Sequence, residues 1–179
     1  MKIEKTNFSD LLVITPKIFI DARGYFMESY NQKHLDNVCG TNFVQDNESL
    51  SHKGVLRGLH FQRPPFAQAK LVRVIVGSIL DIAVDLRKQS PTYGKHFSHI
   101  ISDKNKKQLF IPIGFAHGFL SLENNTIVNY KSSEFYNKDS EDSILWNDID
   151  LSIEWGNKNP ILAEKDSIAK NFITFESPF

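Results

Sequence analysis

The sequence has little cysteine, no excess of charge of either sign and no long apolar run. A lone cysteine, Cys39, excludes an internal disulfide, and this fits a reducing compartment. The 21 basic and 21 acidic residues balance, so no overall field attracts nucleic acid or an anionic membrane surface. No segment approaches the roughly 20 apolar residues that span a bilayer, and residues 1–6 lack a signal-peptide pattern. We expect a soluble, cytoplasmic protein that binds neither nucleic acid nor membrane.

Length and composition bound the number of domains. The chain has 179 residues, of which 41% are hydrophobic. This is enough to bury one sizeable core and too little to make two cores favourable. No repeat, low-complexity tract or linker divides the sequence. We predict a single domain that spans residues 1–179.

Helical periodicity is nearly absent, and the apolar residues fall in short runs rich in β-branched and aromatic types. Turn signals separate these runs, as at residues 21–24, 90–94 and 123–125. Many short strands punctuated in this way are typical of a sandwich or barrel, so the predicted class is all-β. The predicted strands cover residues 12–15, 43–45, 71–76, 79–86, 109–111 and 126–130.

Two short helices are predicted. Asn31 can cap a helix in which Leu35 and Val38 lie three residues apart and which ends before Gly40. A second, weaker pattern follows Pro160 and covers residues 161–170. Both helices should be peripheral to the strands.

Gly77 and Ser78 separate two apolar runs and predict a tight type II′ hairpin between them. In the second run, Asp81, Ala83 and Asp85 share one face because side chains alternate along a strand. That face points either to solvent or into a polar cavity, and alternation alone does not decide between them.

Polar residues that interrupt apolar strands are the natural site candidates, because a barrel of this size can hold one small ligand in its mouth. Arg57 and His60 interrupt the segment at 55–62, and Gly58 permits close approach of backbone or ligand. Taken singly, His60 is either a catalytic base or a hydrogen-bonded structural residue. Tyr130, taken alone, is ordinarily a packing residue with its hydroxyl at the surface and indicates no function.

A second motif, Pro112-Ile113-Gly114-Phe115-Ala116-His117, has a Pro-x-Gly-x-x-His spacing similar to a motif of cupin β-barrels. Many cupins bind a metal there with a His-x-His pair from an earlier motif. In this sequence the earlier motif reads His60-Phe61-Gln62, so the second histidine of the pair is missing. A transition-metal site needs several converging ligands, and the sequence therefore favours a barrel without metal.

Taken together, these segments resemble the dTDP-4-dehydrorhamnose 3,5-epimerases of the cupin superfamily. The resemblance covers nearly the whole chain, in the family's order. It implies a cupin-type jelly-roll β-barrel with a few short peripheral helices. The matching segments are residues 16–19, 21–30, 43–47, 54–62, 68–73, 81–87, 90–94, 112–119, 130–131, 143–148 and 162–166.

The resemblance also implies an activity: epimerisation at C3 and C5 of dTDP-4-dehydro-6-deoxy-D-glucose through an enolate, as in deoxysugar biosynthesis. His60 matches the general base, and imidazole titrates near the operating pH. Asp166 matches the carboxylate that pairs with this base. Tyr130 matches the proton donor on the opposite face of the sugar, and Lys70 matches the cation that stabilises the enolate oxygen.

A further set of residues matches positions that bind the nucleotide sugar. Tyr136 matches an aromatic residue that stacks on thymine. Because members of the family are homodimers whose amino-terminal strands cross between subunits, Arg23 and Glu28 are expected to serve the partner's site. The full binding set is Arg23, Glu28, Gln45, Asp46, Asn47, Arg57, Lys70, His117, Tyr136, Glu141 and Lys165.

Three alternatives stay open. Related enzymes epimerise one carbon only or use another nucleotide. A non-catalytic cupin would bind a sugar nucleotide and use His60 and His117 as cavity lining. A metal-dependent cupin is the third alternative. The combination of base, carboxylate partner, cation and donor favours the epimerase.

Overall fold

A computed structural model describes the backbone of residues 1–179 and every side chain except those of residues 36 and 37. It consists mainly of β-strands, which confirms the predicted all-β class. The strands are β1 (Lys2–Lys5), β2 (Leu12–Thr15), β3 (Ile18–Asp21), β4 (Gly24–Met27), β5 (Gln45–Ser51), β6 (Leu56–Gln62), β7 (Lys70–Val76), β8 (Ser78–Asp85), β9 (His96–Ser102), β10 (Gln108–Ile111), β11 (Phe115–Ser121), β12 (Thr126–Ser132) and β13 (Glu141–Ser143). The helices are α1 (Gln32–Cys39) and α2 (Glu164–Ser167), and two 3₁₀ turns lie at Lys138–Ser140 and Phe172–Thr174.

The strands form two antiparallel sheets and a separate hairpin. The six-stranded sheet has the order β1-β2-β10-β7-β12-β5, and the five-stranded sheet has the order β13-β6-β11-β8-β9. Strands β3 and β4 pair only with each other. Neighbours within a sheet are mostly far apart in sequence, so the chain crosses repeatedly between the sheets.

Three apolar clusters hold this arrangement together. The first lies between the sheets and includes Val72, Ile101 and Val128. The second covers the outer face of the five-stranded sheet, where Leu151, Trp155 and other carboxyl-terminal residues pack. The third lies on the outer face of the six-stranded sheet, beneath α1. Both sheets are therefore covered on their outer faces over part of their area, which explains why several strands are apolar on both sides.

Most predicted strands match observed ones to within two residues, but one was misplaced. The prediction for residues 43–45 overlaps β5 only at Gln45, because that strand runs on to Ser51. Strand β5 reads Gln-Asp-Asn-Glu-Ser-Leu-Ser and is polar on both faces, so an apolar run could not reveal it. Phe43 instead packs beneath α1 with its ring 6.4 Å from that of Phe110.

The predicted hairpin at Gly77-Ser78 is wrong. Strand β7 pairs with β10 and β12, whereas β8 pairs with β9 and β11, so the two strands lie in different sheets. Gly77 has φ +83°, and a Cβ there would lie 2.5 Å from Thr126 Oγ1. Glycine is needed because the backbone turns sharply from one sheet into the other against Thr126.

The helix predictions are confirmed in place. Asn31 Oδ1 accepts a hydrogen bond from the His34 amide at 3.3 Å, and Gly40 follows α1 with φ +57°, as expected of a cap and a C′ residue. Leu35 is buried, but Val38 is 39% exposed. Within the second predicted segment only the four residues of α2 are helical.

Candidate active site

A cavity of about 490 Å³ opens between the two sheets. The six-stranded sheet supplies its wall through β5, β7 and β12, and the five-stranded sheet through β6 and β11. Segment 161–165 and Asp166 close one side. Of the predicted site residues, the cavity is lined by Gln45, Asn47, Arg57, His60, Lys70, His117, Tyr130, Tyr136, Glu141, Lys165 and Asp166.

His60 lies where β6 departs from regular pairing with β11. The register pairs His60 with His117 and Arg57 with Phe119, so β6 carries one extra residue between these pairs. Gly58, with φ +140°, absorbs the bulge, and a Cβ there would lie 2.4 Å from the Gly118 Cα. The two glycines thus permit the close strand contact that directs His60 into the cavity.

Asp166 pairs with His60. The His60 Nε2 lies 2.6 Å from Asp166 Oδ1, and the carboxylate side chain is 2% exposed. Because an ionised carboxylate only accepts hydrogen bonds, a neutral His60 carries its proton on Nε2 and leaves Nδ1 as the available base. This is the geometry expected of an oriented imidazole base.

Residues 161–170, named the strap here, carry Asp166 across the cavity. At one end Ile161 forms a parallel bridge with Val55, and at the other Lys170 bridges to Ile144. The Lys170 ammonium also lies 3.0 Å from Asp142 Oδ2. Anchored at both ends, the strap holds Asp166 beside a histidine 106 residues away in sequence.

Tyr130 and Lys70 lie on the wall opposite to His60. Tyr130 occupies β12 between Asn47 of β5 and Val72 of β7. The Lys70 ammonium is 5.9 Å from the centroid of the Tyr130 ring. The structure therefore brings a hydroxyl and a cation together across the cavity from the His60–Asp166 pair.

Burial alters the acidity of both groups. Burial raises the pKa of Tyr130, so its hydroxyl stays protonated and can donate. Burial lowers the pKa of Lys70 to about 8, against the opposing influence of the Asp81 and Glu141 charges. Lys70 is thus mainly an ammonium ion at neutral pH and loses its charge in mildly alkaline solution.

The outer part of the cavity is built around Tyr136, an exposed aromatic residue. Its hydroxyl donates to Glu141 Oε2 at 3.2 Å, and its amide donates to Gln45 Oε1 at 2.9 Å. Lys165 reaches Glu141 from the strap at 2.7 Å. Burial opposes ionisation of Glu141, but the hydrogen bonds from Lys165 and Tyr136 outweigh it and lower the pKa of Glu141.

Two predicted residues border the inner cavity in different ways. The Arg57 guanidinium donates to Ser51 Oγ at 3.1 Å and to the Leu50 carbonyl at 3.2 Å, so its position is fixed by β5. His117 is buried, and its Nε2 lies 2.6 Å from Asp81 Oδ1. Asp81 is fully buried. The face of β8 that carries it therefore points into the protein and not to solvent.

Three predicted binding residues do not reach the cavity within this chain. Arg23 lies in the turn of the β3–β4 hairpin, paired with Asp21 at 2.6 Å. Glu28 lies before α1 and contacts His34 at 3.3 Å. Asp46 points to the other face of β5, where it contacts the Lys131 ammonium at 2.7 Å.

Sequence reasoning missed half of the lining residues, chiefly on β6 and at the start of the strap. Gln62 is the clearest: its amide donates to the Phe66 and Phe135 carbonyls, and its Oε1 accepts from the Asn137 amide at 2.8 Å. It thereby fixes the loop that carries Tyr136. Its polar side chain at the end of a strand that already carries Arg57 and His60 was the available signal. The others include Ser49, Gln68, Phe119, Ser132 and Leu162.

The fold and site define a class of protein. Two antiparallel sheets enclose a polar cavity with an imidazole–carboxylate pair on one wall and a hydroxyl and an ammonium on the other, an arrangement suited to acid–base chemistry. Across the described side chains, no group of three or more His, Cys, Asp or Glu residues is placed to hold a metal ion. No helix in the described part of the chain is long and apolar enough to cross a membrane.

Comparison with known proteins gives the family. A family model described as dTDP-4-dehydrorhamnose 3,5-epimerase matches residues 5–173. The chain is 50% identical over 175 residues to the dTDP-4-dehydrorhamnose 3,5-epimerase of Shigella flexneri, covering 97% of each protein. The chain belongs to the dTDP-4-dehydrorhamnose 3,5-epimerase family, which confirms the resemblance and makes it an isomerase of the cupin superfamily.

Solved structures agree with this assignment. The epimerase of Elizabethkingia anophelis NUHP1 is 48% identical, with a TM-score of 0.92 and coverage of 97% of each chain. The dTDP-6-deoxy-D-glucose-3,5-epimerase of Legionella pneumophila, in complex with dTDP-4-keto-L-rhamnose, is 43% identical, with a TM-score of 0.94 and coverage of 98% and 94%. The cupin-type jelly roll predicted from the resemblance is confirmed.

Proposed function

We propose that this chain epimerises dTDP-4-dehydro-6-deoxy-D-glucose at C3 and C5 to give dTDP-4-dehydro-L-rhamnose, without cofactor or metal. The observation that carries the proposal is the placement of His60–Asp166 and of Tyr130 with Lys70 on opposite walls of one cavity. Inversion needs a proton removed from one face of a carbon and returned to the other. A cavity with a base on one wall and a proton donor on the other meets that requirement.

Each step has a residue suited to it. His60 Nδ1 removes the proton from a carbon next to the ketone, and Asp166 stabilises the imidazolium that forms. The ketone oxygen becomes an enolate oxygen, whose charge the Lys70 ammonium stabilises more than it stabilises the neutral ketone. Tyr130 then donates its proton to the opposite face of the carbon. His60 then releases its proton to water and Tyr130 regains one from water, so that the same two steps at the second carbon complete the reaction.

The outer residues bind the nucleotide part. Tyr136 stacks on the thymine ring, in the position where its exposed face borders the cavity. Arg57, Lys165 and the amides of Gln45 and Asn47 bind phosphate and sugar oxygens, for which charged and amide donors are suited. His117 binds the sugar from the inner wall, and Glu141 fixes Lys165 and Tyr136.

We further propose that the protein is a single-domain, cytoplasmic homodimer whose β3–β4 hairpin reaches the partner subunit. Supporting this, the hairpin exposes large apolar side chains in a part of the chain that pairs with neither sheet: Phe19, Ile20, Tyr25 and Phe26. Arg23 and Glu28 then serve the partner's cavity. Asp46, on the outer face of β5, supports the interface beside Lys131.

The dimer can be tested by complementation. Arg23→Ala and His60→Ala variants are each expected to lose most activity, while an unfolded and refolded mixture regains part of it, because mixed dimers contain one intact site. Wild-type protein treated in the same way is the control. A mixture no more active than its components, or a monomer by analytical ultracentrifugation, contradicts the shared site.

The activity itself is tested by hydrogen exchange. Purified protein is incubated with dTDP-4-dehydro-6-deoxy-D-glucose in deuterated water, with no added metal, and the C3 and C5 proton signals are followed by NMR. Exchange at both carbons with formation of the L-rhamno product supports the proposal. Exchange at one carbon indicates a mono-epimerase, and no exchange favours a binding protein or another nucleotide sugar. Metal analysis of the same sample tests the metal-dependent alternative.

A further inference from the structure

A second histidine–carboxylate pair lies deeper in the cavity than His60–Asp166. The His117 Nε2 is 2.6 Å from Asp81 Oδ1, the same distance that separates His60 from Asp166. His117 and His60 are direct partners on neighbouring strands β11 and β6. Two imidazoles, each bound to a carboxylate through Nε2, therefore line the same wall of the cavity.

Asp81 is buried like Asp166, but it is incompletely paired. Its side chain is 0% exposed, and its Oδ2 has no hydrogen-bond partner among the described side chains and backbone groups. A buried carboxylate oxygen without a partner is costly, so such a group is retained for the charge it supplies or the neighbour it orients. The ionisable groups that face Asp81 from other strands are His117 on β11, His99 on β9 and Lys70 on β7.

Lys70 connects this pair to the reaction. The charges that act on Lys70 are those of Asp81 and Glu141, which favour its ionised form, and Lys165, which opposes it. Glu141 is already paired with Lys165 at 2.7 Å, so much of its charge is compensated. Asp81 is the other carboxylate whose charge favours the ammonium form of Lys70, and its side chain is shielded from solvent.

We propose that Asp81 is a positioning residue of the epimerisation: it fixes the His117 ring through Nε2 and supplies the buried negative charge beside which Lys70 remains an ammonium ion. This inference rests on the proposed function, because it assigns Lys70 to the enolate oxygen. With its proton held on Nε2 by Asp81, neutral His117 presents Nδ1 to the sugar as an acceptor. Asp81 thus acts through two neighbours and touches no reacting atom.

The test replaces the charge and keeps the shape. Asp81→Asn is expected to lower kcat/KM for exchange at the ketone-flanking carbons by about tenfold or more at neutral pH, since electrostatic stabilisation of the enolate weakens. Its alkaline decline in kcat/KM moves to lower pH, because Lys70 loses its proton more easily without the neighbouring charge. A kcat/KM and an alkaline decline equal to those of the wild type contradict the proposal.

Asp85→Asn provides the matched control. Asp85 lies on the same face of β8 as Asp81 and is equally buried. Unlike Asp81, it is fully paired: it contacts the Arg87 guanidinium at 2.7 Å and accepts hydrogen bonds from the Ser90 and Thr92 hydroxyls at 2.6 Å. Its substitution is expected to lower thermal stability without moving the alkaline decline. If both variants move the decline equally, the effect is a general one of burial and the proposal fails.

A measurement on the unaltered protein keeps the inference testable should Asp81→Asn fold poorly. Imidazole ¹⁵N NMR of the wild-type protein, at a pH where the ring is neutral, is expected to show His117 protonated at Nε2 and unprotonated at Nδ1. The opposite tautomer contradicts the proposal. Because this measurement needs no substrate, it stands apart from the exchange experiment: a wild type without exchange overturns the proposed function, not the tautomer assignment.

Discussion

At the scale of single residues, the site depends on charges held in place by buried partners. Asp166 is almost inaccessible and contacts His60 Nε2 at 2.6 Å, and its Oδ2 lies 3.5 Å from the Gly58 amide. A carboxylate in this position orients the imidazole and favours its protonated form. Under the proposed function it contributes to proton transfer, since its contacts are with His60 and the Gly58 amide and not with the outer part of the cavity around Tyr136.

Asp166→Asn should therefore reduce turnover more than binding. The expected result is a decrease in kcat of about tenfold to a hundredfold, with the Kd for dTDP unchanged in a calorimetric titration. Lys165→Ala, the neighbouring substitution on the strap, should instead weaken dTDP binding. An Asp166→Asn variant whose defect is confined to affinity would count against the pairing role.

Loss of the Lys70 charge is expected to set the alkaline limit of activity. Its pKa is lowered by burial to about 8, so the ammonium form predominates at neutral pH and disappears as the pH rises through that value. The value of kcat/KM, which reports groups of the free enzyme, should fall above about pH 8. Lys70→Arg should keep a cation throughout, because an arginine side chain stays charged to above about pH 12. A wild-type profile that stays flat into strongly alkaline solution is incompatible with this assignment.

The sequence could supply residue roles only through the family resemblance. Composition and alternation did not show that His60 meets Asp166, because this contact depends on the strap crossing from Ile161 to Lys170. The inward direction of Asp81 was likewise undecided by alternation. Both follow from which strands pair, and this is a property of the topology rather than of any local pattern.

At the scale of elements, the contact of β6 with β11 sets the position of His60. Gly58 combines a positive φ of +140° with backbone contact, since a Cβ would lie 2.4 Å from the Gly118 Cα. The turn residue Gly24 has a similar φ of +125°, but no atom lies within 4 Å of the position that a Cβ would take there. A substitution at Gly24 therefore tests backbone strain alone, whereas one at Gly58 tests strain together with a steric clash.

Gly58→Ala should destabilise the fold by more than about 2 kcal/mol, because strain and overpacking add. Gly24→Ala should cost only the strain, about 1 kcal/mol. Urea denaturation followed by circular dichroism gives both values. Equal losses in the two variants would show that the β6–β11 contact relaxes easily and does not fix His60.

The elements also show where sequence patterns mislead. The apolar runs on either side of Gly77 looked like a hairpin because hairpins join strands that are adjacent in sequence. In the structure that glycine instead begins a crossing between sheets, packed against Thr126. Strand β5 was missed over most of its length for a related reason: it is an edge strand with polar residues on both faces.

At the scale of the whole molecule, the candidate catalytic side chains are distributed between the two sheets. The five-stranded sheet carries His60 and His117, and the six-stranded sheet carries Tyr130 and Lys70. Buried apolar clusters pack against both sheets. The fold class and half of the cavity-lining residues could be predicted from the sequence and its family resemblance. That His60 and Tyr130 lie on opposite walls of one cavity follows only from how the two sheets pack.

This separation makes a direct prediction about the two walls. His60→Asn should lower both solvent-deuterium exchange and epimerisation by about 10²–10⁴-fold. Tyr130→Phe should still exchange protons at the ketone-flanking carbons, because the base is intact, but should return them mainly to the original face.

The most direct measurement is therefore NMR of dTDP-4-dehydro-6-deoxy-D-glucose in deuterated water with Tyr130→Phe, in which exchange and inversion are followed together. Deuterium incorporation with the configuration largely retained is the predicted result. Loss of exchange and inversion in equal measure, or inversion at the wild-type rate, would contradict an enzyme whose base and donor stand on opposite walls.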